Sequence, residues 1–241
     1  MRMAWAARTA VAGQAPNRTS ILKSPCSNRG FTLVEVLVVI AIVVITFSIA
    51  VPVARSLVAR SHAVYCAVNL RQIGLATMMY AGDNQMRLPV TSHQRSQSGK
   101  SWTLTLQPYA SGTISFKCPK DPDSRRAYTY LINDFLTPNP AGAPDLDFSR
   151  LAMIDQPAAT LLFAEASPDY RNTDHLHFSD YHGGKLPPEV FEHQVATEAH
   201  SGKANYLFAD GHVETLSKRE VLARLDAENS RFIDPSPPTN P

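Results

Sequence analysis

The sequence of 241 residues has little cysteine and lacks the common motifs of catalysis. No His-Glu-x-x-His pattern and no Cys-x-x-Cys pair is present, which excludes the strongest zinc signatures. The Gly-x-Ser-x-Gly turn of serine hydrolases and a glycine-rich phosphate loop are also absent. We therefore expect a protein that is not an enzyme and that carries no cofactor.

Cysteine occurs three times, at Cys26, Cys66 and Cys118. Cys26 precedes a long apolar run, whereas Cys66 and Cys118 follow it. The latter two could form one disulfide in an oxidising compartment. The alternative is that they are two unpaired, small hydrophobic side chains.

Acidic residues are missing from residues 1–30, which carry five bases. The whole chain has a net charge of +2, and without those five bases the remainder is mildly acidic. A basic segment before an apolar run is typical of targeting, so we expect no nucleic-acid partner. The five bases are Arg2, Arg8, Arg18, Lys23 and Arg29.

Residues 36–54 form an uncharged run, and Glu35 is the only charge back to Phe31. A helix over 31–54 is about 36 Å long, more than the ~30 Å of a bilayer core, which predicts a transmembrane helix. A cleaved secretory signal is the alternative, although its apolar region is usually shorter. Because bases precede the run while only Arg55 and Arg60 follow it closely, we predict a single-pass inner-membrane protein with a cytoplasmic N-terminus and a periplasmic or cell-surface head.

Residues 29–38, which read RGFTLVEVLV, resemble the type IV prepilin cleavage and methylation motif. The resemblance implies cleavage after Gly30 by prepilin peptidase and N-methylation of Phe31. Glu35 and Pro52 match the glutamate and the helix proline of that family. Glu35 could either reach water at the membrane interface or pair with the new amine of Phe31, in its own chain or in a neighbouring one.

Beyond the membrane the helix is predicted to continue to about residue 82, because apolar residues recur on one face. Residues 1–30 would then be a leader, 31–82 the helix, 83–233 an extracytoplasmic head and 234–241 a disordered tail. We expect this one helix both to cross the membrane and to support the head. The apolar stripe is formed by Leu57, Val64, Val68, Leu75 and Met79.

Short segments rich in β-branched and aromatic residues predict a small antiparallel sheet in the head. The fold class is therefore α+β, with the long helix packed on that sheet. Asp210-Gly211 indicates a hairpin turn, and Ser217 with Glu220 indicates a capped C-terminal helix. The predicted strands are 113–118, 127–132, 159–165, 204–209 and 212–216.

A second resemblance covers the head, where His200, nine residues and then Asp210-Gly211 are similar to the prepilin-type processing-associated domain. Independently of that resemblance, His200 could hold the hairpin through a hydrogen bond to its turn, and Asp210 could satisfy its own turn backbone. The histidine-rich stretch that includes His175 and His177 could supply a metal site, but polar loop residues explain it as well. We therefore expect no metal.

The pattern as a whole predicts a structural subunit that assembles with like or related pilin subunits into a type II secretion or type IV pilus-like filament. One alternative is a membrane-tethered binding module for a glycan or a metal, which exposure of Trp102 and Tyr170 would favour. Another is a metal-dependent hydrolase.

Overall fold

The structure is a computed structural model that describes residues 30–92, 101–110, 112, 114–138, 147–171, 174–181 and 185–236. Almost all of the predicted leader lies outside this range. The chain divides into two compact units, residues 1–48 and residues 49–241.

Helix α1 is a single helix of 51 residues, Leu33–Asp83. It is long and apolar enough to cross a membrane, as predicted. Two hydroxyl groups in its uncharged part are satisfied within the helix: Thr46 Oγ1 donates to the carbonyl of Ile42 at 2.7 Å, and Ser48 Oγ to that of Ile45 at 2.7 Å. Such local satisfaction is what a lipid environment requires.

The described residues of the second unit include three further α-helices and five strands. The helices are α2 (Trp102–Thr105), α3 (Pro188–Gln194) and α4 (Lys218–Asp226). The strands are β1 (Tyr130–Asn133), β2 (Leu161–Glu165), β3 (His175–Leu176), β4 (Lys203–Phe208) and β5 (Val213–Ser217). Short 3-10 helices cover Gln107–Tyr109, Asp134–Leu136, Leu151–Met153 and Ser179–Tyr181.

The strands form one sheet in the order β3-β1-β2-β4-β5. The α+β class is confirmed, and three of the four pairings are antiparallel. The predicted antiparallel sheet is found, with one difference at its edge, where β3 runs parallel to β1. Strand β3 has two residues, which is too short for a sequence pattern to reveal.

The strand predicted at 113–118 is not formed within its described residues. There Ser115 Oγ donates to the carbonyl of Lys117 at 2.9 Å, and Lys117 Nζ donates to three backbone carbonyls at 2.9–3.0 Å. These side-chain bonds to backbone compete with strand pairing. The three carbonyls belong to Asp123, Ser124 and Arg126.

Two hydrophobic clusters use the alternating side chains of the strands. Leu131 belongs to one cluster and its neighbour Ile132 to the other, which also takes in Leu70 and Ile73 of α1. This alternation is the period of two expected for a sheet covered on both faces.

The face of α1 that packs on the sheet is not the predicted apolar stripe. All five stripe residues are exposed, including Val64 at 63% and Leu75 at 64%. A row with smaller residues is buried instead, and a Cβ added at Gly74 would lie 2.9 Å from a methyl group of Leu207. The small residues allow the helix to approach the sheet closely. The buried row is Cys66, Asn69, Leu70, Ile73, Gly74, Ala76, Thr77 and Ala81.

The C-terminal part follows the sequence prediction closely. Asp210-Gly211 lies in the turn between β4 and β5, where Gly211 has a φ of +93°. Ser217 and Glu220 form a complete capping box at the start of α4. The tail predicted as disordered from residue 234 is described up to Ser236, with Pro235 buried, and residues 237–241 lie outside the description.

Candidate functional site

The predicted cleavage point lies in an accessible, non-helical segment before α1. Residues 30–32 are outside the helix, and Phe31 is 84% exposed. A Cβ added at Gly30 would meet no atom within 4 Å, and Gly30 has no positive φ. Nothing in the described fold therefore requires a glycine at this position.

Glu35 closes a capping box at the start of α1. Its Oε2 accepts hydrogen bonds from the backbone N–H of Thr32 at 2.8 Å and from Thr32 Oγ1 at 2.7 Å. In return, the backbone N–H of Glu35 donates to Thr32 Oγ1 at 3.3 Å. Sequence reasoning missed this cap, although the Thr-x-x-Glu spacing signals it.

The helix after Glu35 presents apolar side chains that have no partner within the described first unit. Residues 33–48 are all exposed, and Ile45 and Phe47, for example, are 61% and 63% exposed. Pro52 lies inside the helix without ending it. This surface is therefore apolar on every side, as expected of a helix surrounded by lipid or by other helices.

A second group of functional side chains meets in the interior of the second unit, and we call it the cysteine–histidine cluster: Cys66, Cys118, Glu165 and His200. Cys66 and Cys118 are joined by a disulfide. His200 Nε2 lies 2.9 and 3.0 Å from the two carboxylate oxygens of Glu165 and 3.9 Å from the sulfur of Cys118. All four residues are buried, with His200 the most accessible at 6%.

Four separate segments of the chain contribute the members of this cluster. Cys66 lies on α1, and Glu165 is the last residue of β2. Cys118 is fixed by a hydrogen bond from its backbone N–H to Thr129 Oγ1 at 3.2 Å. His200 precedes a tight turn in which Gly202 has a φ of +83°. The backbone N–H of His200 donates to the carbonyl of Lys203 at 2.8 Å.

The charge of Glu165 affects its aromatic neighbours. The pKa values of Tyr130 and Tyr206 are both raised, first by burial and then by the nearby Glu165 carboxylate. An ionised carboxylate in such a buried place requires a compensating positive group or strong hydrogen-bond donors. His200 is its partner in this structure.

The structure separates two parts of the predicted head motif. His200 precedes β4, whereas Asp210 and Gly211 follow it, about 20 Å along the strand direction. The suggested hydrogen bond from His200 to the hairpin turn is therefore wrong. Asp210 does satisfy its own turn, because its Oδ1 accepts the N–H of His212 at 3.1 Å.

The other described histidines do not gather with His200. His175 pairs with Asp174 at 2.7 Å and packs against the ring of His177. His212 pairs with Asp210 and Glu214, at 2.5 and 3.0 Å. Within the described ranges, the cysteine–histidine cluster is the group whose side chains could hold a metal ion.

The two aromatic residues suggested as exposed binding residues are buried. Trp102 is fully buried, and its Nε1 donates to the carbonyl of Asp174 at 2.6 Å. Tyr170 is 8% exposed. Exposure of these two aromatic side chains would have favoured a tethered glycan-binding module, and it is not found.

Comparison with known proteins identifies the N-terminal segment. Residues 26–51 match the family model for the prokaryotic N-terminal methylation motif. Searches of curated proteins and of solved structures gave no match. The family match ends before the head, so the resemblance of the His200–Gly211 segment stays a prediction. The chain is therefore pilin-like in its N-terminal part, where a prepilin-type motif leads into a long apolar helix that anchors it in a membrane.

Proposed function

We propose that this protein is a structural subunit of a type II secretion or type IV pilus-like filament and that it has no catalytic activity. The observation that carries the proposal is the prepilin-type motif at residues 26–51, which continues without a break into the exposed apolar part of α1. Prepilin peptidase would cleave after Gly30, and Phe31 would then be methylated on its new amine.

The local geometry supports cleavage at this bond. A peptidase needs an extended, accessible segment, and the Gly30–Phe31 bond lies outside the helix next to an exposed side chain. Because the fold places no demand for glycine at position 30, we attribute that residue to recognition by the peptidase.

Glu35 takes two successive roles in this proposal. In the uncleaved chain its carboxylate caps α1 through Thr32. Cleavage creates a positive amine on Phe31 at the positive end of the helix dipole, which is unfavourable unless a carboxylate lies nearby. We infer that Glu35 binds such an amine in a neighbouring subunit and thereby sets the register of assembly.

Two apolar surfaces would carry the contacts between subunits. Phe31–Ala54 would pack within the membrane and the filament. The exposed stripe from Leu57 to Met79 would continue these contacts outside the membrane, because the sheet leaves it uncovered. A contiguous exposed apolar surface of this kind marks an interaction site. The excess of bases before α1 supports a cytoplasmic N-terminus and a head in the periplasm or on the cell surface.

The deciding experiment is mass spectrometry of the N-terminus of membrane-extracted protein, from cells with and without prepilin peptidase. We expect a chain that starts at methylated Phe31 when the peptidase is present and an uncut chain when it is absent. An N-terminus located after the apolar run, or cleavage independent of the peptidase, would contradict the proposal.

A matched pair of variants tests the recognition of Gly30. Gly30→Val is expected to abolish cleavage, whereas Gly82→Val is expected to leave it unchanged. Both positions are free of steric contact, since a Cβ at either one meets no atom within 4 Å. Normal processing of Gly30→Val would show that the peptidase does not recognise this glycine.

A further inference from the structure

The chemistry of the cysteine–histidine cluster goes beyond what a structural disulfide needs. A disulfide between Cys66 and Cys118 needs no ionisable neighbour in order to stabilise the fold. Here a carboxylate and an imidazole are nevertheless buried beside it, at 2% and 6% exposure. Burying two such groups is costly even when they pair, so their presence calls for a reason other than packing.

The four side chains form a zinc-type ligand set. Two thiolates, one imidazole and one carboxylate are all donors that Zn²⁺ accepts in tetrahedral sites. One ligand atom from each residue lies within 4.8 Å of all the others. Zinc–ligand bonds of ~2.0–2.3 Å place tetrahedral ligand atoms about 3.3–3.8 Å apart, so small side-chain movements would complete the site once the disulfide is open.

An ion has a route to this cluster. A cavity of about 390 Å³ is lined in part by Cys118 and Glu165. Four acidic residues line it, among them Glu192 and Glu198, against two lysines, Lys120 and Lys218. The lining therefore carries an excess of negative charge, which favours the approach of a cation.

We propose that the dithiol form of this protein binds a zinc-type divalent ion through Cys66, Cys118, Glu165 and His200. Metal binding and the disulfide are alternative states of the same four residues. The proposal departs from the expectation that the head binds no metal, and it does not depend on filament assembly.

The two states are connected by balanced steps. The newly made chain carries two thiols, which release two protons as their sulfurs bind the ion. Oxidation instead joins the sulfurs, and their two electrons and two protons pass to a disulfide oxidant that becomes a dithiol. The disulfide sulfurs no longer bind as thiolates, so oxidation expels the ion.

The test uses the full chain in detergent with Cys26→Ser as the common background, which removes the third thiol. The protein is reduced with a phosphine and titrated with Co²⁺, a spectroscopic substitute for Zn²⁺. We expect one ion per chain, a thiolate-to-cobalt charge-transfer band and the visible bands of tetrahedral cobalt. Zn²⁺ should displace the cobalt, and the oxidised protein should show none of these bands.

Variants show whether the four residues act together. Glu165→Gln and His200→Asn are expected to weaken cobalt binding by at least about 10- to 100-fold, the effect typical of disturbing even an indirect neighbour of a metal. His212→Asn is the matched control, because it alters another histidine–carboxylate pair that lies away from the cysteines. It should bind cobalt like the background protein.

Three results would overturn the proposal. One is the absence of cobalt bands in the reduced background protein. Another is equal binding by His200→Asn and His212→Asn. The third is equal binding by the reduced and oxidised forms, and this comparison needs no substitution in the cluster, so a variant that fails to fold does not obscure it.

Discussion

The N-terminal part of α1 and the sheet unit satisfy their side chains in opposite ways. In residues 30–48 the described side-chain hydrogen bonds are local, such as Thr32 with Glu35 and Thr46 with its own helix, and the apolar side chains are exposed. In the sheet unit, apolar side chains are buried in two clusters and polar groups find distant partners. The first sequence is thus suited to surroundings outside the chain, and the second to its own interior.

The same motif occurs in both regions and makes this comparison concrete. Thr32 with Glu35 and Ser217 with Glu220 form equivalent capping boxes, with the carboxylate accepting from the N-cap hydroxyl at 2.7 and 2.6 Å. The capping box at Ser217 starts helix α4, which belongs to the folded second unit. The box at Thr32 lies two residues from the predicted cleavage point, where its carboxylate can serve another subunit.

The largest expected effect concerns the disulfide. Cys66→Ala/Cys118→Ala should lower the free energy of unfolding of the second unit by about 4 kcal/mol, the value for a loop of this size with a sequence separation of 52. Urea unfolding of the oxidised protein measures it. Cleavage after Gly30 should not change, because the first unit does not depend on this cross-link.

Cys26→Ala is the control for this double variant, since Cys26 takes no part in the disulfide. It should unfold at the same urea concentration as the unmodified chain. If the double variant were as stable as the control, the two cysteines would not be cross-linked in the oxidised protein.

The sequence predicts most of the fold where a local signal is strong. The helix from Leu33 to Asp83, the hairpin at Asp210-Gly211 and the capped helix after Ser217 follow from apolar length, turn residues and capping spacing. Strand β3 has no such signal, because its pairing with β1 depends on tertiary contacts. Which of the two apolar rows of α1 is buried also depends on tertiary contacts, because the sheet packs closely against the row that contains the small residue Gly74.

The two sites differ in the same respect. The processing motif is contiguous in sequence, so Gly30, Phe31 and Glu35 can be named without a structure. The cysteine–histidine cluster joins residues from four separate segments of the chain, and no spacing in the sequence predicts that Glu165 contacts His200. Only folding brings them together.

The next effect separates the two capping boxes. Glu35→Gln should reduce filament assembly about tenfold or more, since a hydrogen bond between charged groups contributes roughly 1.5–3 kcal/mol. Glu220→Gln should leave assembly unchanged and cost the second unit at most about 1 kcal/mol, as for other caps. Assembly is measured by the fraction of chains in sheared filaments. Equal losses of filament assembly in both variants would show that Glu35 acts only as a helix cap and does not bind a neighbouring subunit.

A substitution at Gly74 tests whether close packing chose the buried row of α1. Gly74→Leu should destabilise the second unit by about 1–3 kcal/mol, because the added side chain overlaps Leu207. Gly82→Ala, in the same helix but free of contacts, should raise stability by up to about 1 kcal/mol. Thermal unfolding compares the two. A neutral Gly74→Leu would show that the interface adjusts easily.

The smallest effect is a pH dependence at the hairpin. Burial opposes protonation of His212, but hydrogen bonds and charges from Glu214 and Asp210 prevail and raise its pKa above the ordinary 6.5. The His212 ring also stacks on the ring of Phe208. Arg224 donates a hydrogen bond to Glu214, which is one of the two carboxylates that contact His212. Protonated His212 therefore holds the two carboxylates together across the turn.

Because the pKa is raised on folding, this contribution is complete below pH 6.5 and is lost as the pH rises through the folded value. The loss should stay below about 1 kcal/mol, since the pair is partly exposed to solvent. His212→Asn should remove the difference between unfolding curves measured on the two sides of this range. His200→Asn should not remove it, because that residue lies at the other end of β4. An unchanged pH dependence in His212→Asn would place the titrating group elsewhere in the chain.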